Sequence, residues 1–117
     1  MKYLLAMYID EKAQATIPRE QLLADRQEWV DFDTMLRKAV TVVSNSGLQP
    51  TSSATTVRFK NGKLITSDGP FAETKEQLSG FWLIEAKDLD QAIQWAGKMP
   101  SLPKPWGGSV EVRPIWA

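Results

Sequence analysis

Tyr3-Leu4-Leu5-Ala6-Met7-Tyr8-Ile9 decides the architecture. The run is rich in β-formers and is closed by Asp10-Glu11-Lys12, so it reads as a first strand. Alternation puts Tyr3, Leu5, Met7 and Ile9 on one face and Leu4, Ala6 and Tyr8 on the other. Both faces are apolar, and such a strand must be covered on both sides. Gly80-Phe81-Trp82-Leu83-Ile84-Glu85-Ala86 repeats the pattern and makes the same demand.

Outward from that strand, Pro18 opens a long helix with Thr16 as a candidate cap and Glu20 in its first turn. Leu22, Trp29, Phe32 and Leu36 recur at helical spacing and predict its buried side. The helix is expected to end near Lys38-Ala39, because Val40-Thr41-Val42-Val43 is a β-branched cluster suited to a strand. Gly47 and Pro50 close it. Thr55–Phe59 and Lys63–Ser67 flank Lys60-Asn61-Gly62, and Asn-Gly between two β-like runs predicts a tight hairpin. Asp68-Gly69-Pro70 predicts a further turn. Asp88 opens a second helix with Gln91 placed for a capping box. Leu89, Ala92, Ile93 and Ala96 are its expected buried stripe, and Gly97 its stop. After a stiff loop with Pro100, Pro103 and Pro105, Ser109–Trp116 is the last strand, with Pro114 at an edge or a strand end.

The order β-α-β-β-β-β-α-β is an α+β pattern, with two helices covering one face of an antiparallel sheet. The uncovered face predicts a homodimer in which two sheets pack into a barrel-like sandwich. A chain of 117 residues suits one domain, taken as 1–117, with a core that needs no disulfide or structural metal. The 14 basic residues balance 14 acidic ones, which argues against broad binding to nucleic acid or an anionic membrane. With no His and no Cys, zinc fingers, thiol nucleophiles, Ser-His-Asp triads and iron-sulfur sites are excluded. Metal binding would rest on carboxylates and carbonyl oxygens, and no loop has the spacing for it, so neither a metal nor another cofactor is expected. The first apolar run is too short for a membrane span and lacks a small-residue cleavage site, so no signal peptide is expected, and cytoplasm follows by elimination.

Asp68-Gly69-Pro70-Phe71-Ala72-Glu73-Thr74-Lys75-Glu76-Gln77-Leu78 resembles the signature of the DGPF (DGPFAETKE) branch of the YCII-related family. Gly47-Leu48-Gln49-Pro50, Ala54–Arg58 and Ser109–Pro114 are similar as well, so the resemblance spans nearly the whole chain. It implies a ferredoxin-like fold that dimerises as an α/β barrel, and a bacterial, cytoplasmic protein. It also implies a His on the long helix and an Asp near its end as a catalytic pair. Aligned through Gly47, those positions fall at Trp29 and Lys38, so His-Asp chemistry is out of reach here. The loop from Pro100 to Trp106 is longer than the family leads one to expect, which gives Trp106 a candidate packing or gating role.

The remaining candidates are carboxylates, arginines and tryptophans. Asp68 either presents a carboxylate at a pocket rim or caps its own turn, with Phe71 plugging the core. Glu73, Thr74 and Lys75 are either ligand contacts or a loop and dimer-interface ion pair. Asp33 projects within ~40° of Trp29 and ~20° of Leu22 around the helix, with Arg26 on the same side. A carboxylate there needs a partner or becomes a candidate general base, and the structural alternative is an ion pair to Arg58 or Arg113. The five Trp residues are mostly expected in core or interface, with Trp29 and Trp82 as possible walls of a ligand pocket. Arg58 and Arg113 could clamp a carboxylate ligand or sit at the rim. Two functions stay open. One is a small-molecule-binding dimer with Asp33 and Asp68 as acid-base residues in lyase or isomerase chemistry. The other is a non-enzymatic accessory or regulatory protein, to which the resemblance adds an association with sigma-factor signalling.

Overall fold

A computed structural model of the chain describes residues 1–116. Ala117, the last residue of the expected 1–117 domain, lies outside the described residues. The elements are β1 (Lys2–Ile9), α1 (Glu11–Gln14), α2 (Arg19–Ala39), β2 (Thr41–Gly47), β3 (Thr55–Lys60), β4 (Lys63–Asp68), β5 (Gln77–Glu85), α3 (Leu89–Ala96) and β6 (Gly107–Pro114). A 3₁₀ turn at Thr51–Ser53 precedes β3.

Four strands form one sheet in the order β2-β5-β1-β6, with every neighbouring pair antiparallel. The mixed α+β architecture and its strand order are consistent with a ferredoxin-like fold. β1 lies inside the sheet, between β5 and β6. Tyr3 and Leu5 pack with Phe32 and Leu36 of α2 and with Ala92, Trp95 and Ala96 of α3 in one buried cluster. Val110 and Val112 of β6 pack against that cluster from the edge of the sheet. The opposite face carries Leu4, Ala6 and Tyr8 beside Phe81, and among the described residues no helix residue lines it. Glu111 and Arg113 form an ion pair at the border of that face.

β3 and β4 make a separate two-stranded sheet inserted between β2 and β5. Asn61 (φ 52°) and Gly62 (φ 76°) supply the two left-handed residues that the tight hairpin needs. Register places Val57, Phe59 and Leu64 on one face of this arm, at 58%, 75% and 69% exposed. The other face carries Arg58, Lys60 and Lys63 with Ile65. A lone hairpin is marginal in water, and this one shows its apolar face to solvent. The radius of gyration, 16.1 Å, exceeds the ~13 Å of a compact chain of this length for the same reason.

Local details depart from the sequence expectation in three places. Asp10 starts a short helix, α1, by accepting a bond from the Ala13 amide at 3.1 Å, where only a charged strand end was expected. Thr16 does not cap α2; its hydroxyl donates to the Ala13 carbonyl at 2.7 Å, and Pro18 stands at the cap position. The buried stripes are rotated slightly. Leu22, Leu89 and Ile93 are exposed, whereas Asp25 of α2 and Trp95 of α3 are buried. Trp95 and Met99 extend the Ala92–Ala96 stripe at i, i+3, i+4 and i+7, so the largest side chains set the face of α3. Asp88 caps α3 through the Gln91 amide at 2.9 Å, as expected. Among the described residues, no helix is long and apolar enough to cross a membrane.

Candidate functional site

A cleft of about 400 Å³ lies between α2 and the edge of the sheet. Its origin is a row of small residues. Met7 pairs with Gly80, and Gly80 with Gly47, so this row of the sheet beneath α2 holds one side chain across three strands. A Cβ on Gly80 would stand 2.9 Å from the Ser46 carbonyl oxygen, so the sheet has no room for a larger residue there. A Cβ on Gly47 would meet nothing within 4 Å. α2 roofs the hollow with Arg26, Trp29 and Asp33, and Trp82 rises from β5.

The aromatic wall is built from three rings in contact. Trp29 and Trp82 stack at 5.7 Å with their planes 10° apart, and Phe32 meets both edge-on, 6.3 Å from Trp29 and 5.5 Å from Trp82. Asp33 is held from two sides. Arg37 donates to its Oδ2 at 2.8 Å, and the Trp82 indole N–H approaches its Oδ1 at 3.3 Å. Arg37 also donates to Asn45 Oδ1 at 3.0 Å, which ties α2 to β2. The partner of Asp33 is therefore Arg37, one turn along the same helix, rather than Arg58 or Arg113 on a strand. Arg26 makes no ion pair among the described residues.

Of the candidate residues singled out in the sequence, the cleft gathers Arg26, Trp29, Asp33 and Trp82. Asp68 lies exposed at the end of β4, opposite Thr55. Its side chain does not cap its turn. The turn is closed by the Gly69 amide on the Ala54 carbonyl at 2.7 Å and by the Thr56 hydroxyl on the Gly69 carbonyl at 2.8 Å. Gly69 takes φ 91°, a conformation that suits a residue without Cβ. Phe71 does not plug the core; it is 76% exposed. Arg58 donates to the Phe71 carbonyl at 3.1 Å, and Arg113 pairs with Glu111 on the open sheet face. Glu73 and Lys75 form no ion pair with each other, while the Thr74 hydroxyl donates to the Glu76 carbonyl.

The Asp68–Leu78 segment borders a second cleft, also of about 400 Å³, against Glu11, Lys12 and the 3₁₀ turn. Glu11 accepts from the Thr51 hydroxyl at 2.8 Å and from its amide at 3.0 Å, while Gln77 Oε1 accepts from the Glu11 amide at 2.9 Å. Glu76 accepts from the Ser109 hydroxyl at 2.8 Å and lies over Gly108, where a Cβ would come within 2.6 Å of its carboxylate. The motif thus fastens α1, the root of the arm and β6 to one another.

Sequence reasoning missed Asp25, although it stands seven residues before Phe32 and so on the buried side of α2. Asp25 is 5% exposed and accepts from Gln21 Nε2 at 2.9 Å and Lys104 Nζ at 3.3 Å. Lys104 also reaches Glu28 at 2.9 Å, and that hydrogen bond, more than the pairing with Asp25, raises the lysine above its ordinary pKa. The proline-rich loop is thereby fastened to α2. Trp106 is buried in it, its carbonyl accepting from the Asp10 amide at 2.9 Å. Among the described residues no group of three carboxylates could hold a metal ion.

The model of the YCII-related domain matches residues 1–117. The chain is also 39% identical over 118 residues to an uncharacterised protein of Rhizobium meliloti (strain 1021), a match covering 98% of this chain and 92% of that one. With a family match along its whole length and such a relative, the chain belongs to the YCII-related domain family.

Proposed function

We propose that this YCII-related chain, of the DGPF branch, is a homodimer that binds a small molecule in the cleft between α2 and the sheet and acts on it by proton transfer, as a lyase or isomerase does. The observation that carries this is the convergence of Trp29, Trp82, Arg26 and Asp33 on one hollow built over paired glycines. It has the chemistry of a ligand site: apolar walls with a few oriented polar groups. Carboxylates alone can move protons, so the absence of His from the chain is no obstacle. Asp33 is the acid-base candidate within the cleft. Asp68 and Arg58 lie on the arm, and a role for them in chemistry requires the arm to meet a site on the other subunit.

Two unpartnered apolar surfaces in one chain support the dimer. One is the sheet face around Leu4, Tyr8 and Phe81, the other the Val57, Phe59 and Leu64 face of the arm. Native mass spectrometry followed by denaturing mass analysis tests both parts. The expected species is a dimer of the 13.1 kDa chain that releases a small molecule on denaturation. A monomer would overturn the dimer. Once a substrate is in hand, unaffected turnover in a folded Asp33→Asn variant would remove that residue's role.

The exposed arm favours a second reading, a non-enzymatic accessory or regulatory protein linked to sigma-factor signalling. The cationic Arg58, Lys60 and Lys63 face would then meet an acidic protein surface. A pull-down at physiological salt that recovers no macromolecular partner counts against it.

A further inference from the structure

Arg26, Trp29 and Asp33 stand at i, i+3 and i+7 along α2, so they share one face, and all three line the cleft. The order along the helix is cation, aromatic ring, anion. At 1.5 Å per residue, Arg26 and Asp33 are separated by about 10 Å of axial rise, with Trp29 between them. Arg26 has no ion-pair partner among the described residues, and its planar guanidinium suits a carboxylate. Asp33 accepts one hydrogen bond on each oxygen, from Arg37 and Trp82, whereas a carboxylate offers about four acceptor positions. It can therefore take a further donor from the cleft. The Gly47–Gly80 row opposite the helix leaves a flat space beside the stacked indoles.

We propose that the cleft takes an aromatic monocarboxylate bearing a hydroxyl or amine at the far end of the molecule, with the carboxylate at Arg26, the ring against Trp29 and the donor at Asp33. The proposal rests on the cleft being a ligand site. One arginine facing one aspartate suits a singly charged acid better than a phosphate dianion, which Asp33 would repel.

The probe is 4-hydroxycinnamate, with cinnamate lacking the donor and 4-hydroxycinnamyl alcohol lacking the charge. Binding is followed on the five tryptophan indole N–H signals in ¹H–¹⁵N spectra, assigned by single Trp→Phe variants. The signals of Trp29 and Trp82 are expected to move, while those of Trp95, Trp106 and Trp116 stay. Each comparison compound should bind at least about tenfold more weakly, the scale of one charge-assisted hydrogen bond. Arg26→Gln should erase the preference for the acid over the alcohol with the backbone spectrum otherwise retained. Gly47→Leu, whose side chain enters open space, should abolish binding of all three. Equal affinity for acid and alcohol, or a preference that survives Arg26→Gln, overturns the ligand class while the indole shifts keep the cleft as a binding site. No movement of Trp29 or Trp82 with any of the three overturns both.

Discussion

Phe59→Ser tests whether the arm belongs to a dimer. Phe59 is 75% exposed in the single chain, so about 150 Å² of a side chain that presents roughly 200 Å² awaits burial. At about 25 cal/mol per Å² that area is worth about 4 kcal/mol, counted twice in a two-fold dimer. Binding never realises the full figure, because the unbound arm keeps some contacts and association costs entropy. Half of it, about 4 kcal/mol in total, still weakens the dimer by a factor of several hundred. Sedimentation equilibrium across a concentration series would read that shift against the 13.1 kDa chain mass. Lys60→Ser, on the opposite face of the same strand, should change the constant far less. If Phe59→Ser dimerises as tightly as the unmodified chain, the apolar face of the arm is not in the interface.

Three further outcomes follow from the packing. Gly107→Ala drives a methyl into the Ser101 carbonyl oxygen, with the Lys104 carbonyl oxygen 3.0 Å away, and should cost about 1–3 kcal/mol in chemical denaturation as an overpacked site. Asp88→Ala removes the side-chain cap of α3 and should cost about 1 kcal/mol in the same assay. Lys104 has its pKa raised in the folded state, chiefly by its hydrogen bond to Glu28, so its contribution is fully present below the ordinary lysine value and is lost as pH rises through the folded one. The stability difference between the unmodified chain and Lys104→Gln should therefore hold near neutral pH and shrink in strongly alkaline solution, measured by denaturant titration at each pH.

The strands were legible because their signals are local. A β-rich run bounded by charge, an Asn-Gly turn and a β-branched cluster each report on a few neighbouring residues. Asp88 was legible as a cap for the same reason. Burial was less so, since it depends on which helix residue happens to meet the sheet. Leu22 has the right spacing but stays exposed, while Asp25 goes under because Lys104, far along the chain, comes to cover it. The approach of Asp33 to Trp29 was legible from helical angles alone, but its partner was not. Arg37 lay one turn away on the same helix, an ordinary i, i+4 pair that needs no strand. Asp68 looked like a turn cap from composition, yet backbone bonds and the Thr56 hydroxyl hold that turn.

The cleft itself left no motif because it is made by subtraction. Gly47 and Gly80 are far apart in sequence, and only the β2–β5 register sets them side by side under α2. One of the pair is constrained by backbone, for a Cβ at Gly80 would press on the Ser46 carbonyl, whereas Gly47 faces open space. Packing therefore explains the first glycine and not the second. Trp29 forms the wall of that hollow by stacking on Trp82. Its ring presents a flat apolar surface, and the charge in the cleft is carried by Arg26 and Asp33. The bond from Arg37 to Asn45 then matters, since it ties the helix that presents Asp33 to the strand that ends in Gly47. Arg37→Met should leave the stacked indoles in place and loosen Asp33, so ligands held by the ring alone would bind as before and those that need the carboxylate would not.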